Sequence, residues 1–149
     1  MFDTNKIGHS FPPFSVTLER GKIHELALAI GDDNPIYHDR QLAQEAQYAD
    51  VPSLPTIGTQ FMFWGNAHFV EQLAELGLDV PRIIHLEESY EYLAPLYAGE
   101  TLTAQTTVLD GTTRKGPRNS TIDFVTIQIR YTNQHNQPVL IAKSRFVVR

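Results

Sequence analysis

The chain contains no cysteine. That excludes disulfides, thiolate catalysis and cysteine metal sites, and it fits a cytoplasmic protein. Long apolar runs are missing too: nothing approaches the roughly 18 unbroken apolar residues of a membrane span. The first residues, Met1-Phe2-Asp3-Thr4-Asn5-Lys6, have neither a basic start nor an apolar stretch behind it, so secretion is not expected. With a net charge of −5 and no basic block, the chain does not read as a nucleic-acid binder. Repeats, low-complexity tracts and linkers are absent. The 149 residues therefore read as one domain, 1–149, with 42% apolar content to build its core. Neither Gly-x-Ser-x-Gly nor a glycine-rich phosphate loop occurs, which leaves a serine hydrolase or a nucleotide-binding enzyme without support. His24, His38, His68, His85 and His135 share no close metal-ligand spacing, so no metal is expected.

What is present changes character half-way along. Phe11 to Val16 reads as extended. From Glu19 to Ile30, Ile23, Leu26, Ala27 and Ile30 recur at i, i+3, i+4 and i+7, which predicts a helix stopped by Gly31. His24 falls on its polar face and reads as solvated. A short helix follows over about Arg40 to Ala46, then a loop from Asp50 to Pro55. From Thr56 to about Leu76 the chain is apolar around much of its circumference, through Ile57, Phe61, Met62, Phe63, Trp64, Phe69, Val70 and Leu73. Such a helix is buried rather than surface-lying. Thr56 is expected to cap it, Gly65-Asn66 to break or bend it and Gly77 to end it. At least two of Phe61, Phe63 and Trp64 should be core. After Val80 the period becomes two. Strands are expected over Ile84 to Tyr92, Thr101 to Leu109, Ile122 to Thr132 and Val139 to Val148, with turns at Gly99, Asp110-Gly111 and Asn133 to Gln137. Helices followed by antiparallel strands give an α+β fold, its sheet wrapped around the long helix.

The densest chemistry lies in Ala29-Ile30-Gly31-Asp32-Asp33-Asn34-Pro35-Ile36-Tyr37-His38-Asp39. Asn34 precedes a proline and is pushed out of helical geometry. A turn that bunches Asp, Asn and His among apolar neighbours suits acid–base work. As a plain solvated turn it would need the same residue types. The order of residues resembles the hydratase signature of the MaoC-like dehydratases, in which Gly-Asp-x-Asn-Pro is followed closely by a His. Three further segments occur in that family's order: Val51 to Gly58, Tyr90 to Leu102 with Tyr92, Pro95, Gly99 and Glu100 in place, and Phe124 to Arg149. They look most like the N-terminal, fatty-acid-synthase-type dehydratase subgroup. The resemblance implies a hot-dog fold, a paired domain, and reversible addition of water to a trans-2-enoyl thioester of coenzyme A or acyl carrier protein, giving a (3R)-3-hydroxyacyl thioester. It implies no cofactor.

Such chemistry needs a water held by a carboxylate and an imidazole, and donors for the thioester oxygen. Asp32 (or Asp33) and His38 are the acid–base candidates, with Asn34 supporting the turn. The free N–H groups opening the apolar helix, at Thr56, Ile57 and Gly58, are the candidate donors and substrate contacts. Gly58 N–H is the expected oxyanion donor. Arg114, Lys115 and Arg118, in an expected loop from Gly111 to Ser120, are candidates for a phosphate of the carrier, Arg118 foremost; with Lys143 and Arg145 they also read as a scattered solvated face. In catalytic members of the family the His lies five positions after the Asp. Here that position holds Tyr37, and His38 comes one place later. Tyr37 then reads as a substrate contact. The leading expectation is an enzyme, a dehydratase or enoyl-coenzyme A hydratase, forming a homodimer. The alternative is a non-catalytic, acyl-binding half that pairs with a second MaoC-like chain. A hot-dog thioesterase fits the Asp-Asn-Pro-His order least.

Overall fold

The computed structural model describes residues 1–117 and 120–149. Strand β1 (Phe14–Thr17) leads into helix α1 (Arg20–Ile30), which Gly31 ends in left-handed geometry, at φ 73°. A single 3-10 turn over Pro35–Tyr37 joins α1 to α2 (Arg40–Glu45), whose first turn is capped by the Asp39 side chain accepting from Leu42 N–H. Helices α3 (Gly58–Gly65) and α4 (Phe69–Glu75) follow. Then come four strands, β2 (Ile83–Tyr92), β3 (Thr101–Lys115), β4 (Thr121–Thr132) and β5 (Pro138–Val148). All pairings are antiparallel, in the order β1-β3-β4-β5-β2. This is the α+β arrangement expected. No helix among the described residues is long and apolar enough to cross a membrane.

Alternation builds the core. Val125, Ile127, Ile129 and Tyr131 are each 1% exposed, on one face of β4, and Leu140, Ala142, Ser144 and Phe146 continue that face on β5. Registers align it in rows across β4, β5 and β2: Ile127–Ser144–Glu88, Ile129–Ala142–Tyr90 and Tyr131–Leu140–Tyr92. Helix α3 lies over these rows, with the Phe61 ring 5.5 Å from that of Tyr131.

Several expectations are corrected, while one alternative holds: the stretch from Thr56 to Leu76 breaks at Gly65-Asn66 into two helices, because Asn66 turns away from helical geometry at ψ 86°. Its buried amide bonds Gln72 at 2.8 Å and accepts from His68 N–H. Phe61 alone of the three aromatics is core; Phe63 is 61% exposed and Trp64 38%. Asp110-Gly111 is not a turn. Strand β3 runs through it with a register shift between Val108 and Asp110, so Arg114 and Lys115 are strand residues rather than loop residues. At Gly111 a Cβ would fall 2.0 Å from the Phe2 ring; there the missing side chain makes room for the N-terminal segment.

Gly65 likewise serves contact rather than flexibility. A Cβ there would lie 2.8 Å from Val16 Cβ and 3.0 Å from the Ser15 carbonyl oxygen. Replacing Gly65 with alanine should therefore push α3 off β1 and lower the free energy of unfolding by about 1–3 kcal/mol, a typical overpacking penalty. The reading is a lower urea midpoint at unchanged slope; an unmoved midpoint would show that α3 is not seated there.

Candidate active site

The turn after α1 is shaped by its own polar side chains. Asp32 Oδ1 accepts from Asn34 N–H (3.0 Å), and Asn34 Oδ1 accepts from Ile36 N–H (3.3 Å). Both side chains are thus occupied in holding the bend, as short polar residues before a proline are suited to do. The bend sends its last two residues in different directions. Tyr37 lines a cleft of about 450 Å³ with Tyr48, Ser53, Pro55, Tyr92 and Tyr97. His38 instead faces a separate depression with His24, Leu28, Asp32 and Asp33.

Both ring nitrogens of His38 are engaged. Nε2 lies 2.8 Å from the Asp32 carbonyl oxygen and Nδ1 lies 2.8 Å from His24 Nδ1. A carbonyl only accepts, so His38 Nε2 carries the proton and donates it; in the neutral ring Nδ1 is then the acceptor for His24 Nδ1–H. His38 therefore meets Asp32 through the backbone, not the carboxylate. His24, expected to be merely solvated, is the partner that sequence reasoning missed. The two are 14 residues apart and meet only because the turn folds back over α1, which no local pattern signals.

Tyr37 has a different character. Burial, then the Asp32 charge, then Tyr48 raise its pKa above the ordinary phenol value. At neutral pH it is an O–H donor and not a base.

The start of α3 forms the inner end of the region. Thr56 does not cap it: Ile57 is the N-cap residue, and no side chain caps the helix in that position. The missing cap is supplied from β2. Thr59 N–H donates to Tyr90 Oη (3.1 Å), and Thr59 Oγ1 shares a second, short hydrogen bond with it. Gly58 is buried, and a Cβ there would stand 2.5 Å from Tyr90 Cε1, so the space its hydrogen leaves is filled by the Tyr90 ring. Ile57 is fully buried in the core; Thr56 is exposed. Tyr92 O–H donates to the Pro55 carbonyl (2.9 Å), and burial, then Tyr90, push its pKa up to about 12. Arg118 lies outside the described residues, while Arg114 and Arg145 both stack on Phe124, at 5.3 and 5.6 Å. Among the described residues no group of three or more His, Asp or Glu side chains converges on a metal position.

With this geometry in hand, comparison with known proteins is decisive. Residues 5–142 match the family model described as FAS1-like, dehydratase domain region. The chain belongs to that family. It is 33% identical over 148 residues to the UPF0336 protein of Saccharopolyspora erythraea, covering 99% of this chain and 91% of the relative. Among solved structures it is similar to the C-terminally truncated HadBC (3R-hydroxyacyl-ACP dehydratase) complex of Mycobacterium tuberculosis, with a TM-score of 0.79 at 17% identity, covering 95% of this chain and 96% of that one. It is similar also to the MaoC-like dehydratase of Rhodospirillum rubrum, with a TM-score of 0.70 at 22% identity over 99% and 96% of the two chains. The FAS1-like dehydratase chain thus has the MaoC-like hot-dog fold.

One carboxylate, between the cleft residues Tyr48 and Pro52, ties α1 to α2. Asp50 takes Arg20 of α1 at 2.9 and 3.1 Å and Arg40 of α2 at 3.0 Å, and accepts from Val51 N–H at 2.7 Å. Burial alone would raise its pKa; the Arg20 hydrogen bond, the Val51 N–H and the two guanidinium charges outweigh it and hold the carboxyl below its usual value. A depressed carboxylate pKa stabilises the fold above the unfolded value of about 3.9 and stops doing so as pH falls through the lower folded value. Asp50→Asn should cost about 2 kcal/mol at pH 7, the scale of hydrogen bonds to charged groups. It should also flatten the loss of stability as pH falls below about 4, read by urea unfolding at each pH. Parallel curves for mutant and wild type would remove Asp50 from this role.

Proposed function

We propose that the chain is the acyl-cradling half of a two-chain (3R)-3-hydroxyacyl-thioester dehydratase, working on a thioester of coenzyme A or acyl carrier protein. One observation carries the reading: at the family's His position a neutral Tyr37 lines the cleft, while His38 turns away with both nitrogens engaged. Dehydration removes a proton from the carbon next to the thioester and expels the 3-hydroxyl as water. A base must therefore be free to exchange protons at the cleft, and Tyr37, held above the ordinary phenol value, is not one.

What the chain does offer is a binding wall. Tyr37, Tyr48, Tyr92 and Tyr97 give apolar faces with hydroxyl edges, suited to a chain that is mostly hydrocarbon but ends in a polar thioester. The partner would supply an intact Gly-Asp-x-Asn-Pro-x-His turn. A place for that partner is supported by β2, an unpaired edge bearing Ile84 and Leu86, and by Phe63 and Val70 on α3 and α4; all four side chains are exposed. A solved neighbour is itself a two-chain complex, HadBC. The second reading, a self-sufficient hydratase that forms a homodimer, is favoured by the clustering of Asp32, Asn34 and His38 in one turn, from which His38 would act as base and Asp32 would hold the water. In either case Gly58 N–H, at the start of α3, would be the donor to the thioester carbonyl.

The purified chain alone should not hydrate crotonyl-coenzyme A, and should do so once a hot-dog chain carrying the intact turn is added. Activity of the chain alone, lost by at least about 10²-fold in His38→Ala, would instead establish the self-sufficient enzyme.

A further inference from the structure

Four of the chain's six tyrosines line one cleft, and among the described residues none of its eight phenylalanines does. The four come from two distant stretches. Tyr37 and Tyr48 flank helix α2, while Tyr92 ends β2 and Tyr97 follows it. Each ring offers a flat apolar face and a polar edge, and aromatic groups prefer to meet such faces in offset or edge-to-face contact.

The rings are carried on backbone that is tied down. Pro52 and Tyr97 form an isolated antiparallel bridge, and Ser53 N–H donates to the Leu96 carbonyl at 2.8 Å. Tyr92 O–H donates to the Pro55 carbonyl, which fixes that ring at its outer end. On the other stretch, Tyr37 N–H donates to the Asn34 carbonyl at 3.1 Å and Tyr48 N–H to the Ala43 carbonyl at 3.0 Å. Pro52, Pro55 and Pro95 stiffen the same walls, because proline fixes its own φ. The cleft of about 450 Å³ is thus largely preformed.

Beneath these walls the core is closed. Leu54 and Leu96 are 1% and 2% exposed, and Ile57 is fully buried. The space left by Gly58 at the start of α3 is taken by the Tyr90 ring. An acyl group therefore lies against the tyrosines rather than under the helix.

We propose that the cleft selects acyl thioesters bearing a flat ring, an aryl group, over straight alkyl chains of the same carbon count. The ring lies against the faces of Tyr37 and Tyr48 from one stretch and of Tyr92 and Tyr97 from the other. Two effects favour it: aromatic contacts add to the burial of area, and a ring has fewer rotations to lose on binding. Apolar area acts in the opposite sense, because the straight chain of equal carbon count is the larger and burial alone would hold it more tightly. The order of the two affinities separates these effects. The proposal rests on the acyl-thioester reading above and names the kind of acyl group that reading leaves open.

Calorimetric titration of the chain with 3-phenylpropanoyl-coenzyme A and with nonanoyl-coenzyme A, equal in carbon count, tests it. Wild type should bind the phenyl thioester at least about tenfold more tightly, the scale of two aromatic pairs. Tyr48 is 39% exposed, so its variants leave the core undisturbed. Tyr48→Leu keeps apolar volume without a ring face and should lower the ratio by about threefold, whereas Tyr48→Phe should keep it. Tyr37→Leu combined with Tyr48→Leu should bring the ratio to one or below. Equal or tighter binding of the nonanoyl thioester by wild type, or a ratio unchanged in Tyr48→Leu, would overturn ring selection by these tyrosines while leaving the acyl-thioester reading standing. Binding of neither thioester would overturn both.

Discussion

Burying one face of a five-stranded antiparallel sheet under a helix of only about two turns is the constraint on which everything else depends. The sheet side is settled by alternation: Leu102, Ala104, Val108, Val125, Ile127, Ile129 and Tyr131 leave almost no exposed surface. Each fully buried aliphatic side chain contributes about 1.5–3 kcal/mol. Helix α3 can cover them only by approaching closely at both ends. Gly65 admits Val16 and Phe14 at one end, and Gly58 admits Tyr90 at the other. Two glycines in so short a helix weaken it intrinsically. Packing against the sheet, not propensity, therefore keeps it in place.

That same close approach sets the chemistry. Because the Tyr90 ring lies against Gly58, its hydroxyl reaches Thr59 N–H and satisfies a donor that a helix start otherwise leaves open. Along the inner face of β2, Tyr90 meets the start of α3 and Tyr92 meets the cleft. Asp50, shared by Arg20 and Arg40, ties the segment before Pro52 and Ser53 to α1 and α2. The turn carrying Asp32 to His38 hangs between these two fixed structures, and its own Asx bonds decide which side chain meets the cleft.

The sequence made the element types legible wherever the pattern was regular. Strands β4 and β5 and helix α1 lie within a residue or two of their expected bounds, because alternation and the apolar stripe are local properties. Family order carried the fold. Tertiary contact decided what was misread. Asp110-Gly111 has turn chemistry, yet β4 and the Phe2 ring hold it in a strand. Thr56 has capping chemistry, yet Tyr90 from a distant strand does the capping. Phe63 and Trp64 belong to an apolar segment but not to this chain's core, since one helix has two sides and the sheet covers one. At the candidate site, residue order singled out Asp32, Asn34, Tyr37 and His38, and the structure gathers them in one turn. The direction of His38 was not legible, because it depends on His24, whose approach is a matter of folded geometry.

The central claim is that the cleft sees Tyr37 and not His38. Nuclear magnetic resonance of the chain labelled at its tyrosine and histidine rings, titrated with 3-hydroxybutyryl-coenzyme A, tests it most directly. Ring signals of Tyr37 and Tyr92 should shift together with one midpoint, while those of His24 and His38 stay in place, with His38 keeping its Nε2–H tautomer. A shift of the His38 ring with the same midpoint as Tyr92 would contradict the claim and return the base to this chain.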